Sequence, residues 1–379
     1  MPKNFFKAIG VMVGYIIGVG MFGLPYLISE SGLFIFFILI VGLGLTQYFV
    51  HLIYANVILV TENYHRLPGY AGKYLGKNSK RIAVVAKLIG NYGALLAYII
   101  ITGIFLNELL SPFFGGSEFL YATLLFALEA AVVFFGIGML ARAELIMSCL
   151  LLLMVGLISI KGWGDISAAN YSLVDWHKML LPYGAVLFAI DGNGSLPIVS
   201  KLLKRDKKRI KQVIRIGTLI PVIVIIIFTL VIVGISGPNT TPDALAGIQG
   251  SVGNTMIFFA LIFGIITMVT SFLGVSESIR EMLMWDYKLN KYLAWALAVF
   301  VPFTLYLAGM KSLIAVISFV GAVAGGASAI ILILIFLKLE KLKDKLVLFK
   351  RKPGEVIISV LITIFVCGII YEVFNFIIR

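Results

Sequence analysis

Long runs of apolar residues, each about the length of a membrane-spanning helix, dominate the sequence. A helix needs roughly 20 apolar residues to cross the hydrocarbon core of a bilayer. Charge clusters and Gly/Pro turns separate the runs, and no stretch between them is long or polar enough for a soluble domain. The pattern predicts eleven spanning helices, at residues 5–29, 32–60, 82–110, 119–139, 144–162, 179–200, 213–236, 253–279, 291–308, 312–337 and 354–377.

Composition agrees with this pattern and excludes several classes of protein. Of the 379 residues, 61% are hydrophobic and 13% are charged, whereas a soluble domain averages about 25% charged residues. A soluble enzyme and a nucleic-acid-binding domain are therefore excluded, although the net charge of +13 would suggest a polyanionic partner in a soluble protein. We expect a multi-pass protein of the plasma membrane whose partners are the lipid bilayer and a small molecule, with no nucleic acid.

The distribution of basic residues predicts the orientation of the chain. If the N-terminus is cytoplasmic, 26 of the 31 Lys and Arg residues fall on the cytoplasmic side, four fall outside, and Lys87 lies within a span. Cytoplasmic loops carry an excess of basic residues in membrane proteins. The asymmetry predicts a cytoplasmic N-terminus and an external C-terminus, and the basic run 201–211 is interpreted as a solvated cytoplasmic loop.

Isolated polar residues within the spans give no pattern typical of an enzyme or a channel. Cys149 and Cys367 lie in apolar runs and are predicted to be small buried residues. Glu129 is interpreted as structural, either neutral or paired with Lys87. Intramembrane catalysis needs a nucleophile with a base, or a metal cluster, and a channel needs a polar stripe or a repeated filter. We expect a protein that is not an enzyme.

Two predicted spans contain the same local defect. The first reads Gly18-Val19-Gly20-Met21-Phe22-Gly23-Leu24-Pro25, and the sixth reads Asp191-Gly192-Asn193-Gly194-Ser195-Leu196-Pro197. Glycine weakens a helix, and proline removes one of its hydrogen bonds. Backbone groups freed at membrane depth are tolerated only inside protein or beside a cavity. Because five spans separate the two defects, their halves are inverted, and interrupted helices at matching positions indicate a transporter's substrate site.

The chemistry of such a site fits a zwitterionic amino acid. The N-terminus of a half-helix presents free N–H groups and a positive dipole end, which bind a carboxylate. Unwound carbonyl groups bind an ammonium group or a small cation. We predict that the amides around Val19, Gly20 and Met21 hold the carboxylate. The carbonyl groups predicted to hold the amine are those near Ile16, Phe188, Ala189 and Asp191.

At these residues the sequence resembles the amino acid/auxin permease family, within the amino acid–polyamine–organocation superfamily. The resemblance rests on residues 18–26, on residues 188–193 with Pro197, and on the eleven-span topology. It implies an all-α integral membrane protein with the five-plus-five inverted-repeat fold of the leucine transporter type. The repeats would be residues 1–162 and 179–338, with an eleventh span at 354–379. No organic cofactor is implied.

The resemblance also implies a Na⁺ site between the first and eighth spans. In sodium-coupled relatives the eighth helix supplies one carbonyl and two hydroxyl groups, which fall here on Thr267, Thr270 and Ser271. The first helix adds two carbonyl groups, those of Gly14 and Ile17. The alternative for the hydroxyl groups is a hydrogen bond to a carbonyl of their own helix.

Two further points follow from the resemblance, and a third comes from the position of Asp191 at the second defect. Relatives place a tyrosine over the substrate carboxylate, which falls on Tyr98, with Tyr92 as the alternative. The fifth span has no mid-span lysine, since Lys161 lies at its outer end; this favours Na⁺ over H⁺ coupling, although the family contains both. Asp191 has several open roles, because it could bind the substrate amine, sense an ion, carry a proton or cap the following half-helix.

Overall fold

The computed structural model is almost entirely helical and describes residues 3–135, 140–285, 287–340, 346–349 and 353–378. Each predicted span coincides with one helix or with a pair of consecutive helices. The helices are α1 (Lys3–Ile16), α2 (Gly20–Ser31), α3 (Leu33–Val60), α4 (Leu67–Leu75), α5 (Lys77–Phe114), α6 (Glu118–Phe135), α7 (Leu140–Gly162), α8 (Tyr183–Ala189), α9 (Leu196–Leu202), α10 (Lys207–Ser236), α11 (Gln249–Val252), α12 (Asn254–Trp285), α13 (Lys291–Leu307), α14 (Leu313–Phe319), α15 (Gly326–Glu340) and α16 (Glu355–Ile378).

Many of these helices are long and apolar enough to cross a membrane. By length and composition, six single helices and the continuous helical run Leu313–Leu339 of the described chain meet this requirement, and the bent pair α1 and α2 makes an eighth. The other predicted crossings are the shorter helix α13, the pair α8 and α9, and α7. The architecture is therefore that of a multi-pass membrane protein, and the number of eleven crossings stays a prediction.

Some predicted features lie outside the described residues. These are the end of the fourth span at 136–139 and the basic residues Lys341, Lys343, Lys345, Lys350, Arg351, Lys352 and Arg379.

Local structure differs from the prediction at two places between and within the spans. Residues 67–75, which were expected to be a loop, form α4, with Pro68 in the first turn of the helix, where proline is tolerated. The tenth span is not one regular helix, because a π-helical segment at Val320–Gly325 connects α14 to α15. This segment packs against α8 and α5, which places an irregular backbone beside the sixth span.

Polar contacts near the ends of the helices define two faces of the molecule. Arg66, after α3, forms an ion pair of 3.2 Å with Glu281 of α12, and Asn4 of α1 donates to the carbonyl of Leu202 at 3.5 Å. On the opposite face, Lys178 pairs with Glu30 at the end of α2. We call these the inner and the outer face. The grouping agrees with the predicted alternation of cytoplasmic and external loops.

The basic run 201–211 is more than a solvated loop. The guanidinium group of Arg205 donates to carbonyl groups at the end of α3, where helical carbonyls lack partners within the helix. A basic group at a helix C-terminus also interacts favourably with the helix dipole. The accepting carbonyls are those of Ile58, Leu59, Thr61 and Glu62.

The prediction that both cysteines are buried was wrong. Cys149 on α7 and Cys367 on α16 are both exposed on the surface of the helices. An apolar sequence context indicates burial in a soluble protein, but lipid tails are as apolar as a protein core. Inside a membrane, an apolar run therefore does not distinguish a core position from a lipid-facing one.

The interrupted helices lie at the centre of the bundle. Helix α1 packs against α7, α9 and α10, whereas α2 packs against α8, α10 and α14. Helix α3 contacts both halves of the sixth span, α8 and α9. The two defects predicted from the sequence are thus surrounded by protein, as freed backbone groups at membrane depth require.

Candidate functional site

The first interrupted helix leaves a set of free amide groups. Helix α1 ends at Ile16 and α2 begins at Gly20, with a bend of 51° between them. Within the described residues, the N–H groups of Gly18, Val19 and Gly20 have no hydrogen-bond acceptor. The next amides, those of Met21 and Phe22, donate to the carbonyls of Gly18 and Val19 at 3.2 Å. Three adjacent free donors at the start of a helix form a preformed anion site.

Free carbonyl groups lie on the other side of the same break. The last turn of α1 leaves the carbonyls of Gly14, Ile16 and Ile17 without a donor in the described chain. At the sixth span the carbonyls of Ala189 and Asp191 are likewise without a donor there. These are the acceptor groups that an ammonium group or a small cation needs.

Asp191 organises the second interrupted helix. Helix α8 ends at Ala189, and a 3₁₀ turn at Asn193–Ser195 precedes α9. Asp191 Oδ1 accepts hydrogen bonds from the Asn193 N–H at 3.0 Å, from Asn193 Nδ2 at 2.7 Å and from Gln47 Nε2 at 2.9 Å. Asp191 therefore caps the turn that leads into α9, which was one of the roles left open by the sequence.

His51 holds the same segment from the side of α3. The N–H of Gly192 donates to His51 Nε2 at 3.0 Å, and His51 Nδ1 lies 3.0 Å from Thr218 Oγ1 of α10. Since Nε2 accepts, Nδ1 carries the proton and donates to the Thr218 hydroxyl oxygen. His51 is fully buried, so this neutral imidazole ties α3 and α10 to the break.

The two breaks are in direct contact. A Cβ atom placed on Gly20 would lie 2.8 Å from Ala189 Cα and 2.9 Å from Phe188 Cδ1. A side chain at position 20 would therefore push the two spans apart. A Cβ atom on Gly18 would meet no atom within 4 Å, so there is open space next to the free amides.

The outer side of the breaks is closed by tight packing. A Cβ atom on Gly23 of α2 would lie 2.6 Å from Ile317 Cδ1 of α14, and one on Gly184 of α8 would lie 2.1 Å from the Ser318 carbonyl oxygen. Helices α2, α8 and α14 therefore meet above the site, between it and the outer face.

The predicted substrate residues gather around this contact, with one exception. Ile16, Val19, Met21 and Ala189 are buried, and Phe188 lies beside Gly20. Tyr98 is half-buried on α5, and its carbonyl accepts from Thr102 Oγ1 at 2.7 Å. Its place over a substrate carboxylate stays a prediction.

The predicted Na⁺ ligands lie at the end of α1, where Ile17 directly follows the helix, and on α12, and both helices pack against α7. Thr270 Oγ1 donates to the Thr267 carbonyl at 2.9 Å, so two of the five oxygens are adjacent. Thr267 Oγ1 donates to the carbonyl of Phe263 at 2.7 Å. A hydroxyl group that donates its proton keeps lone pairs for a cation. The meeting of all five oxygens in one shell stays a prediction.

Ionisable side chains near the site do not form a multidentate metal site. In the part of the chain that the structure describes, no three His, Cys, Asp or Glu residues are placed to hold a metal ion. Lys87 is not paired with Glu129 there. It interacts electrostatically with Asp191 instead, which links α5 to the second break.

Sequence reasoning missed Gln47 and His51. Both lie on the apolar helix α3, and their partners are 144 and 141 residues away in the chain. A signal was present, since buried polar side chains in a membrane span are rare and require partners. It does not by itself indicate which partners.

Comparisons with known proteins find similarity to two transport proteins. The chain is 24% identical over 285 residues to the tyrosine-specific transport system 1 of Haemophilus influenzae, covering 72% of this chain and 70% of that protein. It is 23% identical over 295 residues to glutamine transporter 2 of Aliivibrio fischeri, covering 74% of each.

A solved structure shares the fold. The crystal structure of MhsT in complex with L-phenylalanine superposes with a TM-score of 0.71 and 15% sequence identity, over 99% of this chain and 98% of that one. The leucine-transporter-type fold expected from the sequence is thereby confirmed. The family model of the tryptophan/tyrosine permeases matches residues 1–372. The chain therefore belongs to the tryptophan/tyrosine permease family, whose members are transport proteins rather than enzymes.

Proposed function

We propose that this permease is a secondary active transporter that carries a neutral amino acid together with Na⁺. The observation that supports this most strongly is the contact between the two interrupted helices. Free amides at Gly18, Val19 and Gly20 lie at one break, and free carbonyls lie at Ala189 and Asp191 of the other. One small zwitterion can satisfy both sets.

The carboxylate of the substrate would bind at the start of α2. The positive end of the helix dipole and the free N–H groups both favour an anion there. The amine would face the carbonyls of Ile16, Phe188, Ala189 and Asp191, and Tyr98 would cover the carboxylate. Opening toward the inner face and the outer face in turn would then carry the substrate across.

The relatives support a neutral amino acid, aromatic ones included. The name of the family refers to tryptophan and tyrosine, and the names of the two relatives refer to tyrosine and to glutamine. The solved structure contains L-phenylalanine. None of these side chains carries a charge at neutral pH. Open space beside Gly18 is compatible with a substrate of this class. At the second break, Ile16 packs against Gly192 and Tyr15 packs against Gly194.

The proposed mechanism goes with a division of the chain into two repeats. We propose that residues 1–162 and 179–338 are the two inverted repeats, that 354–379 is an appended span, and that the family is related to the amino acid/auxin permeases. In such folds substrate and coupling-ion sites lie where the repeats meet, near the bilayer midplane.

We propose Gly14, Ile17, Thr267, Thr270 and Ser271 as the Na⁺ ligands. Neutral carbonyl and hydroxyl oxygens suit a hard monovalent cation. The Thr270 hydroxyl also bonds to a carbonyl of its own helix, that of Thr267, which is the alternative role for this group. An ion shared by α1 and α12 would stabilise the substrate-ready state, so that ion and substrate raise each other's affinity reciprocally.

A second candidate is coupling to H⁺. It is favoured by the Asp191 carboxylate at the second break, with Lys87 within electrostatic range. An intramembrane carboxylate is a common proton carrier in transporters.

Thermal unfolding of the purified protein tests the substrate and the ion together. Twenty amino acids are screened in Na⁺ and in K⁺ buffers of equal ionic strength. A ligand that binds only the folded state raises the unfolding midpoint. We expect tyrosine, tryptophan or another neutral amino acid to stabilise the protein, and more so in Na⁺. Equal stabilisation in both buffers that changes with pH would favour the proton-coupled alternative.

A further inference from the structure

Three side-chain oxygens next to the second break have no hydrogen-bond donor. Gln47 Oε1 and Asn193 Oδ1 are buried and without a partner, in side chains of residues that are 2% and 8% exposed. All hydrogen bonds that the structure gives to the Asp191 carboxylate end on Oδ1. Its Oδ2 is left without a donor in the described chain.

The hydrogen bonds fix which way each amide group faces. Gln47 Nε2 and Asn193 Nδ2 both donate to Asp191 Oδ1, so the two orphan atoms are the carbonyl oxygens. The oxygen and nitrogen of a primary amide are about 2.2 Å apart, because they share one carbon atom. Both orphan oxygens therefore lie within about 5 Å of Asp191 Oδ1. We refer to these two oxygens and Asp191 Oδ2, which are linked through their shared neighbour Asp191 Oδ1, as the acceptor cluster.

In the described residues, no protein cation forms a close ion pair with this cluster. Every ion pair closer than 4.0 Å in the described chain lies elsewhere, so Lys87 interacts with Asp191 only at longer range. A carboxylate at membrane depth needs a partner, and buried carbonyl oxygens without donors are costly. A positively charged ligand would satisfy all three groups.

We propose that Asp191 Oδ2, Gln47 Oε1 and Asn193 Oδ1 form a binding site for a monovalent cationic group. The cationic group is a metal ion or the ammonium group of the transported amino acid. In this proposal Gln47 and Asn193 bind the cationic group. Their oxygens form a set separate from the five oxygens of α1 and α12 proposed to bind Na⁺. The ammonium form of this inference rests on the proposed transport function, whereas the metal form does not.

Binding to the purified full-length protein tests the site with two conservative variants. Asp191→Asn keeps the capping oxygen and removes the charge, and Gln47→Met removes the orphan carbonyl. Glu129→Gln is the matched control, since Glu129 is a buried carboxylate on α6, which packs against α5, α12 and α13. Asn193→Ala replaces either variant if it does not fold.

The probes separate the two sources of charge. Titration of Na⁺ and K⁺ against N-methylglucamine, without amino acid, reports a metal ion. Titration of tyramine, which has the amine but no carboxylate, reports the ammonium group. 3-(4-Hydroxyphenyl)propionate has the carboxylate but no amine, and it reports the carboxylate site. Thermal unfolding measures binding in each case.

We expect Asp191→Asn and Gln47→Met to weaken one cationic probe by roughly tenfold or more, the scale of a hydrogen bond to a charged group. Binding of 3-(4-hydroxyphenyl)propionate should change little, and Glu129→Gln should bind all probes as the wild type does. If both variants bind Na⁺, K⁺ and tyramine as the wild type does, the site is contradicted. The proposed transport function would fail separately, if no amino acid stabilised the wild type.

Discussion

The two interrupted helices share a sequence pattern but satisfy their backbone groups differently. At the first break, Gly18, Val19 and Gly20 lack acceptors, and their segment contains no side chain that could supply one. At the second break, side chains hold the segment, because Asp191 caps Asn193 and His51 accepts from Gly192. Repetition of Gly-x-Gly and Leu-Pro therefore does not imply repetition of a role.

This difference indicates a division of labour between the breaks. Donors left free at the first break are available to a ligand. The second break is instead held in one conformation, which fixes the positions of its carbonyls and of the Asp191 carboxylate. Gln47 and His51 of α3 hold it through hydrogen bonds. Preorganised groups on rigid elements bind a ligand without first paying an ordering cost.

The largest effect is expected where the breaks touch. Gly20→Ala places a Cβ atom 2.8 Å from Ala189 Cα, so one span must shift, and overpacking of this kind costs about 1–3 kcal/mol. We predict that amino acid uptake falls by about fivefold or more, because each 1.4 kcal/mol lost is tenfold in an equilibrium constant. Uptake into proteoliposomes and thermal unfolding measure the two effects.

Two alanine variants serve as controls for Gly20→Ala. Gly18→Ala, in the same break, and Gly42→Ala, on α3, each place a Cβ atom with no neighbour within 4 Å. Both should keep the thermal stability of the wild type, and Gly42→Ala should also keep its uptake. Wild-type uptake by Gly20→Ala would show that contact between the breaks is not required.

A smaller effect is expected from the side chain that holds the second break. His51→Ala removes the acceptor of the Gly192 N–H and the partner of Thr218. Each buried polar group left without a partner costs about 1–3 kcal/mol. We predict a lower midpoint of thermal unfolding. His177, whose side chain is fully exposed, gives the matched control, and His177→Ala should unfold like the wild type. An unchanged midpoint for His51→Ala would argue that the second break does not depend on α3.

Much of the fold could be predicted from the sequence, because membrane spans are local features. The apolar run 213–236 and the charges before it are enough to place α10, and Gly18 and Gly20 are enough to place the bend between α1 and α2. Each of these signals lies within about 20 residues of the chain, the length of one span.

The polar contacts of the site could not be predicted in the same way. Gln47 and His51 contact the second break only because the fold brings α3 beside α8 and α9. The hydrophobic pattern of α3 and that of the second break do not predict this contact. The burial of Cys149 was also mispredicted, since hydrophobicity does not separate lipid-facing from core positions.

A moderate effect on Na⁺ dependence is expected at the proposed Na⁺ site between α1 and α12. Thr270→Val replaces the hydroxyl group of Thr270 with a methyl group, so one oxygen is lost while the side-chain volume stays nearly the same. If Na⁺ binds there, the stimulation of amino acid binding by Na⁺ should weaken by about tenfold. The lost contact between the hydroxyl oxygen and the ion is expected to contribute about as much as a hydrogen bond to a charged group. Thr304→Val is the control, because Thr304 on α13 makes a similar bond, to the carbonyl of Val301. Unchanged Na⁺ dependence in Thr270→Val would argue against this ligand set.

The smallest effect is expected far from both breaks, at the outer face. The hydrogen bond from Lys178 to Glu30 raises the pKa of Lys178, so the pair stabilises the folded state at neutral pH. That contribution is lost as the pH rises through the raised lysine pKa. The pair is partly exposed, so Glu30→Gln should cost less than about 1 kcal/mol. Unfolding midpoints at neutral and alkaline pH measure it, and a large loss at neutral pH would contradict the assignment.

We propose above all that an amino acid is carried at the contact between the two breaks and that Na⁺ drives its transport. Uptake of labelled L-tyrosine into proteoliposomes, for the wild type and Gly20→Ala side by side, tests this most directly. We expect accumulation above the external concentration under an inward Na⁺ gradient in the wild type, and little in Gly20→Ala. Uptake that ignores Na⁺ and follows a pH gradient, or equal uptake by both proteins, would contradict it.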